Sequence, residues 1–283
     1  MSRLPPILAV DLFREVCGRL HQLLGTLTLD EWHKPTSSSE RNVKDIVSHL
    51  LDGSLRRLSM QRDGYQSPDA PRGFASDQEL YAYLHRLNAD WTQATRRLSP
   101  PVLVQLLAEA DKAAADLFAS IDPYSLAIFP VSWAGEQESL HWFDVARDFT
   151  EKWHHTQQIF EATGRPSTIT ERRLFHPCLD TFLRALPFTF RNVSASVGTV
   201  VAVEIVGEAG GVWYLERAAE TWEQTLVPTG KISSRVVMSQ ESAWKLCTKR
   251  RSREVVQAQL PDIQIEGDSE LGSHVLDLVS MIA

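Results

Sequence analysis

The sequence predicts a mainly α-helical N-terminal half followed by a smaller α+β unit, and three observations point there. Apolar residues recur at intervals of three and four from Leu8 to Leu186, the spacing of helices that bury one face. After Pro187 the period changes, and from Val193 onward short runs alternate as half-buried strands do. The chain has 283 residues, 43% hydrophobic and 23% charged, enough for one large or two medium domains and far from the composition of a disordered chain.

The elements follow in order. Leu8, Leu12, Val16, Leu20, Leu23 and Leu27 predict a first amphipathic helix over about 7–29. Pro35 to Ser39 reads as a loop, and Asn42 as the N-cap of a second helix through Val43, Ile46, Val47, Leu50 and Leu51. Gly64 to Gly73 reads as a loop, and a third helix covers about 77–98. Pro100-Pro101 opens a helix through Leu103, Leu107 and Leu117. A long helix is expected over about 140–162, closed by Gly164 and Pro166, and another over 171–186. The runs VVAVEIV, VWYLER, TWEQTLV and SRVVM then predict strands, with a turn at Gly207–Gly211. Helical stretches at 240–247 and 252–260, a strand IQIEG, and a last amphipathic helix through Leu271, Val275, Leu278 and Met281 complete the chain. The expected domains are 1–187 and 193–283.

Net charge is −7 at pH 7, which argues against nucleic acid as the main partner, because phosphate binding needs a basic face. Cys17, Cys178 and Cys247 lie far apart without metal-ligand spacing, and suit buried thiols in a reducing compartment. The N-terminus lacks a basic run followed by an apolar stretch, and no apolar run approaches the roughly 18 residues of a membrane span. A cytoplasmic protein is expected.

The chemistry-bearing segment is DVARDFTEKWHHTQQI, residues 144–159. On a helix, Glu151 and His155 stand one turn apart and point the same way. Asp144, Asp148, Glu151, His155 and Gln158 fall along one stripe, which is either a solvated face or a polar face turned inward. A metal needs a further ligand from another element, and His49, beside Ile46 and Leu50, is the best donor, although such a histidine also serves as a hydrogen-bonded core residue. Two imidazoles and one carboxylate from two helices would make an open three-ligand divalent-metal site, with Asp45 and Asp52 placed to orient the His49 ring. His154 is rotated about 100° from His155 and competes weakly. The remaining histidines have no comparable partner and read as structural.

At these residues the chain resembles a known family. DIVSHLLDG, PVSWAGE, WFDVARDFTEKWHHTQQI and ATGRP look like the metal-binding half of mycothiol-dependent maleylpyruvate isomerases, within the DinB-like superfamily. AWKLCTKRRSRE and IEGDSELGSHVLDLVSMIA are similar to their C-terminal, sterol-carrier-like α+β domain. The resemblance implies a DinB-like four-helix-type bundle holding zinc, or another divalent ion such as nickel, through a histidine of the second helix and a Glu-x-x-x-His pair, here His49, Glu151 and His155. It also implies mycothiol or a similar low-molecular-weight thiol as cofactor. An arginine of the C-terminal domain is thought to serve the active site of such isomerases, and Arg250, in the Lys249-Arg250-Arg251 cluster, aligns with it; the alternative is a solvated basic turn, with Arg253 facing solvent. One departure is visible. Many relatives carry a tryptophan shortly before the Val-x-Asp of the second helix, where this chain has Arg41-Asn42-Val43.

A thiol on such an ion becomes a thiolate at neutral pH. Added to a conjugated cis double bond, released rotation and expulsion of the thiolate give a trans product; retained on the electrophile, the same thiolate makes an S-transferase. Two rivals stand beside these. Two histidines and a carboxylate also serve iron-dependent oxygenases, and a metal- or small-molecule-binding module without catalysis would need the same ligands. Small molecules are the expected partners in each case.

Overall fold

The computed structural model describes residues 4–38, 41–68, 71, 73 and 77–281. Ser39 of the first expected loop, and residues 69, 70 and 72 of the second, lie outside them. Packing groups the chain into two units, one of residues 9–128 and 151–169, the other of 1–8, 129–150 and 170–283.

The first unit is helical: α1 (Val10–Leu24), α2 (Leu29–Trp32), α3 (Val43–Arg57), α4 (Asp77–Thr95), α5 (Pro100–Ser120) and the C-terminal part of α6 (His141–Thr163). The single helix expected over 7–29 is two. Gly25 ends α1, its N–H bonding back to the His21 carbonyl at 3.0 Å, and Thr28 starts α2 with a capping box to Glu31. Asn42 caps α3 as expected, accepting from the Asp45 N–H at 2.9 Å while the Asp45 carboxylate accepts from the Asn42 N–H at 3.4 Å. A π-helical turn, Leu58–Arg62, follows α3. The core holds Phe13, Val16, Leu20, Ile46, Leu51, Leu103, Leu107, Phe118, Trp153 and Ile159, all essentially buried.

A polar group sits inside this core. Asp111 of α5 is buried, and one side chain from each of three other helices reaches it: His21 of α1 (3.2 Å), Ser54 of α3 (2.6 Å) and Lys152 of α6 (2.7 Å). Lys152 is itself buried, its ammonium 5.6 Å from the Phe13 ring centroid. Lys152 neighbours Glu151 and Ser54 lies five residues after His49, so the group fixes the register of the two helices that bear the candidate ligands. His21, expected to lack a partner, has one here.

The second unit contains the start of α6, α7 (Arg172–Leu183), α8 (Leu186–Thr189) and a five-stranded sheet with three short helices. The strands are β1 (Val200–Val206), β2 (Gly211–Arg217), β3 (Trp222–Thr225), β4 (Ile232–Ser239) and β5 (Gln264–Gly267), in the order β3-β2-β1-β4-β5. β1 and β4 run parallel, Val203 beside Val236, and the other pairs are antiparallel. The helices are α9 (Gln240–Cys247), α10 (Arg253–Gln259) and α11 (Ser269–Ser273). The last amphipathic helix, expected to reach Met281, is cut short: α11 gives way to a 3-10 turn at His274–Asp277. Its Gly272 lies against β4 and β5, where a Cβ would meet Ser234 and Ile265. In the PVSWAGE segment, Gly135 adopts φ +84° against the Phe188 ring, a position that excludes any side chain. All three cysteines are buried. No described helix is long and apolar enough to cross a membrane.

Candidate metal centre

α3 presents His49, and α6 presents Glu151 and His155 one turn apart; all three lie in the helical unit. The polar stripe of α6 is no solvated face: Asp144, His155 and Gln158 are buried, and Asp148 and Glu151 half-buried. Nε2 of His49 lies 2.8 Å and Nε2 of His155 3.1 Å from the same Glu151 oxygen, Oε1. The two rings meet edge to face, centroids 4.8 Å apart. One ligand atom from each residue falls within 4.8 Å of the others. The imidazoles are nearly sealed, whereas the Glu151 side chain keeps 39% of its surface, so the cluster opens to solvent on the carboxylate side.

The surroundings set the charge states. Burial pushes the His49 imidazolium down to about 4, against the pull of Glu151, so the ring is neutral at pH 7. Burial opposes the Glu151 charge, but the adjacent imidazoles, His155 first and then His49, outweigh it and hold its carboxyl well below the usual range. The tautomer of His155 is fixed from behind. Its Nδ1 lies 2.7 Å from Oε1 of Gln158, whose amide nitrogen donates to Ser37 Oγ at 3.1 Å. A carbonyl oxygen only accepts, so the His155 proton sits on Nδ1 and the Nε2 lone pair faces the cluster.

Two expectations are corrected, those for Asp45 and Asp52 and that for Arg253. Asp45 and Asp52 do not orient His49: Asp45 caps α3 and faces Arg96 (3.5 Å), Asp52 pairs with Arg56 (3.1 Å), and His49 Nδ1 has no hydrogen-bond partner among the described residues. His154 is buried beside His155, ring centroids 4.8 Å apart, but contributes no atom to the cluster. Burial holds its imidazolium well below the ordinary value. Arg253 does not face solvent freely; its guanidinium bonds Asp277 (2.9 Å), Ser273 (2.7 Å) and His274 (2.7 Å). Arg250 is exposed in the loop between α9 and α10, in the other unit.

Gln158 and Ser37 were not assigned roles from the sequence. Gln158 carried a signal, its spacing of three from His155; Ser37 carried none, because only the folded loop before α3 brings it to α6.

The mycothiol maleylpyruvate isomerase N-terminal domain family matches residues 13–160, just over half of the chain. Two solved structures share the fold: a mycothiol-dependent maleylpyruvate isomerase and a histidine-to-alanine mutant of it. Each has a TM-score of 0.53 at 12% identity, over 87% of this chain and 91% of theirs. Curated protein sequences give no match. The helical N-terminal region, the small C-terminal sheet and the matched segment agree, and the chain belongs to the mycothiol maleylpyruvate isomerase N-terminal domain family.

Proposed function

We propose that this protein is a divalent-metal-dependent enzyme, with zinc as the first choice of ion, held by His49, Glu151 and His155. It uses mycothiol or a similar small thiol for cis–trans isomerisation of a maleylpyruvate-like electrophile or for S-transfer. The observation that carries the reading is the convergence of three donors from two helices onto one point. The donor set suits a cation: a neutral His49, an ionised Glu151 and a His155 whose Nε2 lone pair is turned inward by Gln158 each offer one donor atom to a common point. Bound there, a divalent ion lowers the pKa of an added thiol so that it is a thiolate at neutral pH. The chain does the rest: Gln158 and Ser37 hold His155 in register, and the half-exposed Glu151 side leaves an approach for thiol and electrophile.

Cobalt substitution tests the thiol step. Mycothiol, bacillithiol, glutathione or coenzyme A added to the cobalt protein is expected to raise an intense sulfur-to-metal charge-transfer band. No spectral change with any of the four would favour an oxygenase or a non-catalytic module.

Two further parts of the reading concern the remainder of the chain. The division into 1–187 and 193–283 places the whole helical unit in the first fragment. Expressed alone, residues 1–187 are expected to keep the metal content of the intact protein, and a folded fragment without metal would mean a ligand from beyond residue 187. Arg250 is assigned to a carboxylate of substrate or thiol, because a guanidinium fork binds carboxylates bidentately and keeps its charge. Arg250→Ala is expected to lower turnover at least about tenfold, roughly 1.4 kcal/mol, with metal content intact. Lys249→Ala is the neutral comparison, since Arg253 is occupied by Asp277. Equal, small effects would return the cluster to the surface.

A further inference from the structure

The second unit carries a cavity of its own. It has a volume of about 420 Å³ and lies among α10, β5 and α11, all within that unit. Its floor is apolar: Ile263 and Ile265 are half-buried, and Leu276, on the 3-10 turn after α11, is buried. Gln257, Ser269 and Glu270 stand exposed at its rim, and Ser273 completes the lining. A volume of this size, mostly apolar with a few polar groups at one edge, is the form that small-molecule sites take.

The walls are held by the fold. The Asp268 N–H donates to the Ser233 carbonyl (2.9 Å), and the Asp268 carboxylate accepts from the Leu271 N–H (3.0 Å), which fixes α11 at the end of β5. Gly272 presses against Ile265 and Ser234 where a Cβ would collide. On the far side Arg253 of α10 reaches across to Asp277 (2.9 Å) and Ser273 (2.7 Å).

The polar groups select the ligand. Ser273 is engaged, its hydroxyl donating to the Glu270 carbonyl (2.7 Å) and accepting from Arg253. Arg253, the cation that touches this lining, is paired with Asp277. The side chains of Gln257, Ser269 and Glu270 make no hydrogen bond or ion pair among the described residues. Of these three only Glu270 is charged. From Pro261 to Ala283 the chain has five carboxylates, Asp262, Glu266, Asp268, Glu270 and Asp277, and no lysine or arginine. An apolar floor edged by one unpaired carboxylate, in a stretch without basic side chains, complements an apolar body with a positive head.

We propose that this cavity binds a small amphipathic amine, its hydrocarbon on Ile263, Ile265 and Leu276 and its ammonium hydrogen-bonded to Glu270. At about 30 Å³ per water the space equals roughly fourteen waters, which suits a ligand of about ten non-hydrogen atoms. The inference does not depend on the function proposed above.

Titration of the full-length protein, followed by nuclear magnetic resonance of its backbone amides, tests it. Octylamine, octanol and octanoate share one hydrocarbon chain and differ in the charge of the head. Octylamine at millimolar concentration is expected to shift the amides of Gln257, Ile263, Ile265 and Ser269 to Leu276. Octanol should shift the same amides at lower affinity, and octanoate should leave them in place. Glu270→Gln should weaken octylamine about tenfold, the scale of one hydrogen bond to a charged group, and leave octanol unchanged. Ser269→Trp, at an exposed position on the rim, should fill the cavity and abolish both. No shift with octylamine, shifts centred elsewhere, such as at Glu151, or equal octylamine affinity in wild type and Glu270→Gln would each overturn the proposal. Octanol or octanoate binding as tightly as octylamine would also overturn it, by removing the requirement for a positive head.

Discussion

His49→Ala, Glu151→Gln and His155→Ala are each expected to release the metal on dialysis, with elemental analysis falling from one divalent ion per chain toward none. Each removes one of the three donors that come together among the described residues. Glu151→Gln is the sharpest of the three, because it keeps the shape and hydrogen-bonding reach of the side chain while removing the charge that an ion requires. Gln158→Ala is expected to cost less, about 10–100-fold in affinity, the range for an outer hydrogen bond that orients a ligand. His154→Ala should keep its metal, since His154 stands outside the cluster. Full occupancy in all three principal variants would place the metal elsewhere. Loss from His154→Ala equal to that from His155→Ala would mean that the two imidazoles exchange roles.

How much of this was legible in the sequence depends on the range of the interaction that fixes each feature. The start of α3 and both ends of α6 were readable to within a residue or two, because their signals are local: the Asn42 cap with Asp45, and the Gly164 stop, whose φ of +69° favours glycine. The Glu151–His155 pair was legible for the same reason, one turn of one helix. His49 was a choice among nine histidines, made on its place beside apolar neighbours, and what brings it to Glu151 is the packing of α3 in the bundle. The roles given to Asp45 and Asp52 failed because spacing shows which side a carboxylate occupies but not which cation has already taken it. The strands were visible as alternating runs, whereas the order β3-β2-β1-β4-β5 was not. The parallel pairing of β1 with β4 joins segments about 30 residues apart, and no local pattern encodes it. The polar group around Asp111 left a trace that went unread: the Asp lies between Leu107 and Ala115 at the four-residue spacing of an apolar stripe.

That group carries the largest expected effect on folding. Asp111→Ala should destabilise the protein by about 3–5 kcal/mol, the cost of leaving the opposite charge of a buried pair without its partner, here Lys152 inside the bundle. Chemical denaturation is the measurement, and an effect below about 1 kcal/mol, the scale of an exposed pair, would mean that water reaches Lys152. The pH dependence gives an independent check of the same assignment. Burial opposes the Asp111 charge, but Lys152, His21 and Ser54 outweigh it and hold the carboxyl below its ordinary value. A lowered folded-state pKa adds stability that is fully present above the unfolded carboxylate value, about 4, and is lost as pH falls through the folded one. Wild type should therefore lose stability below about pH 4 more steeply than Asp111→Ala. Replacing the pair together, Asp111→Leu with Lys152→Met, should recover most of the loss, since apolar residues of similar volume commonly serve a buried ion pair's place as well. The double variant also separates stability from register. His21 and Ser54 would lose their common acceptor, and α3 and α6 the polar tie that sets them against each other. If that tie positions His49 against Glu151, the double variant will be stable but bind its metal more weakly than wild type; if apolar packing alone sets the register, stability and metal affinity will return together.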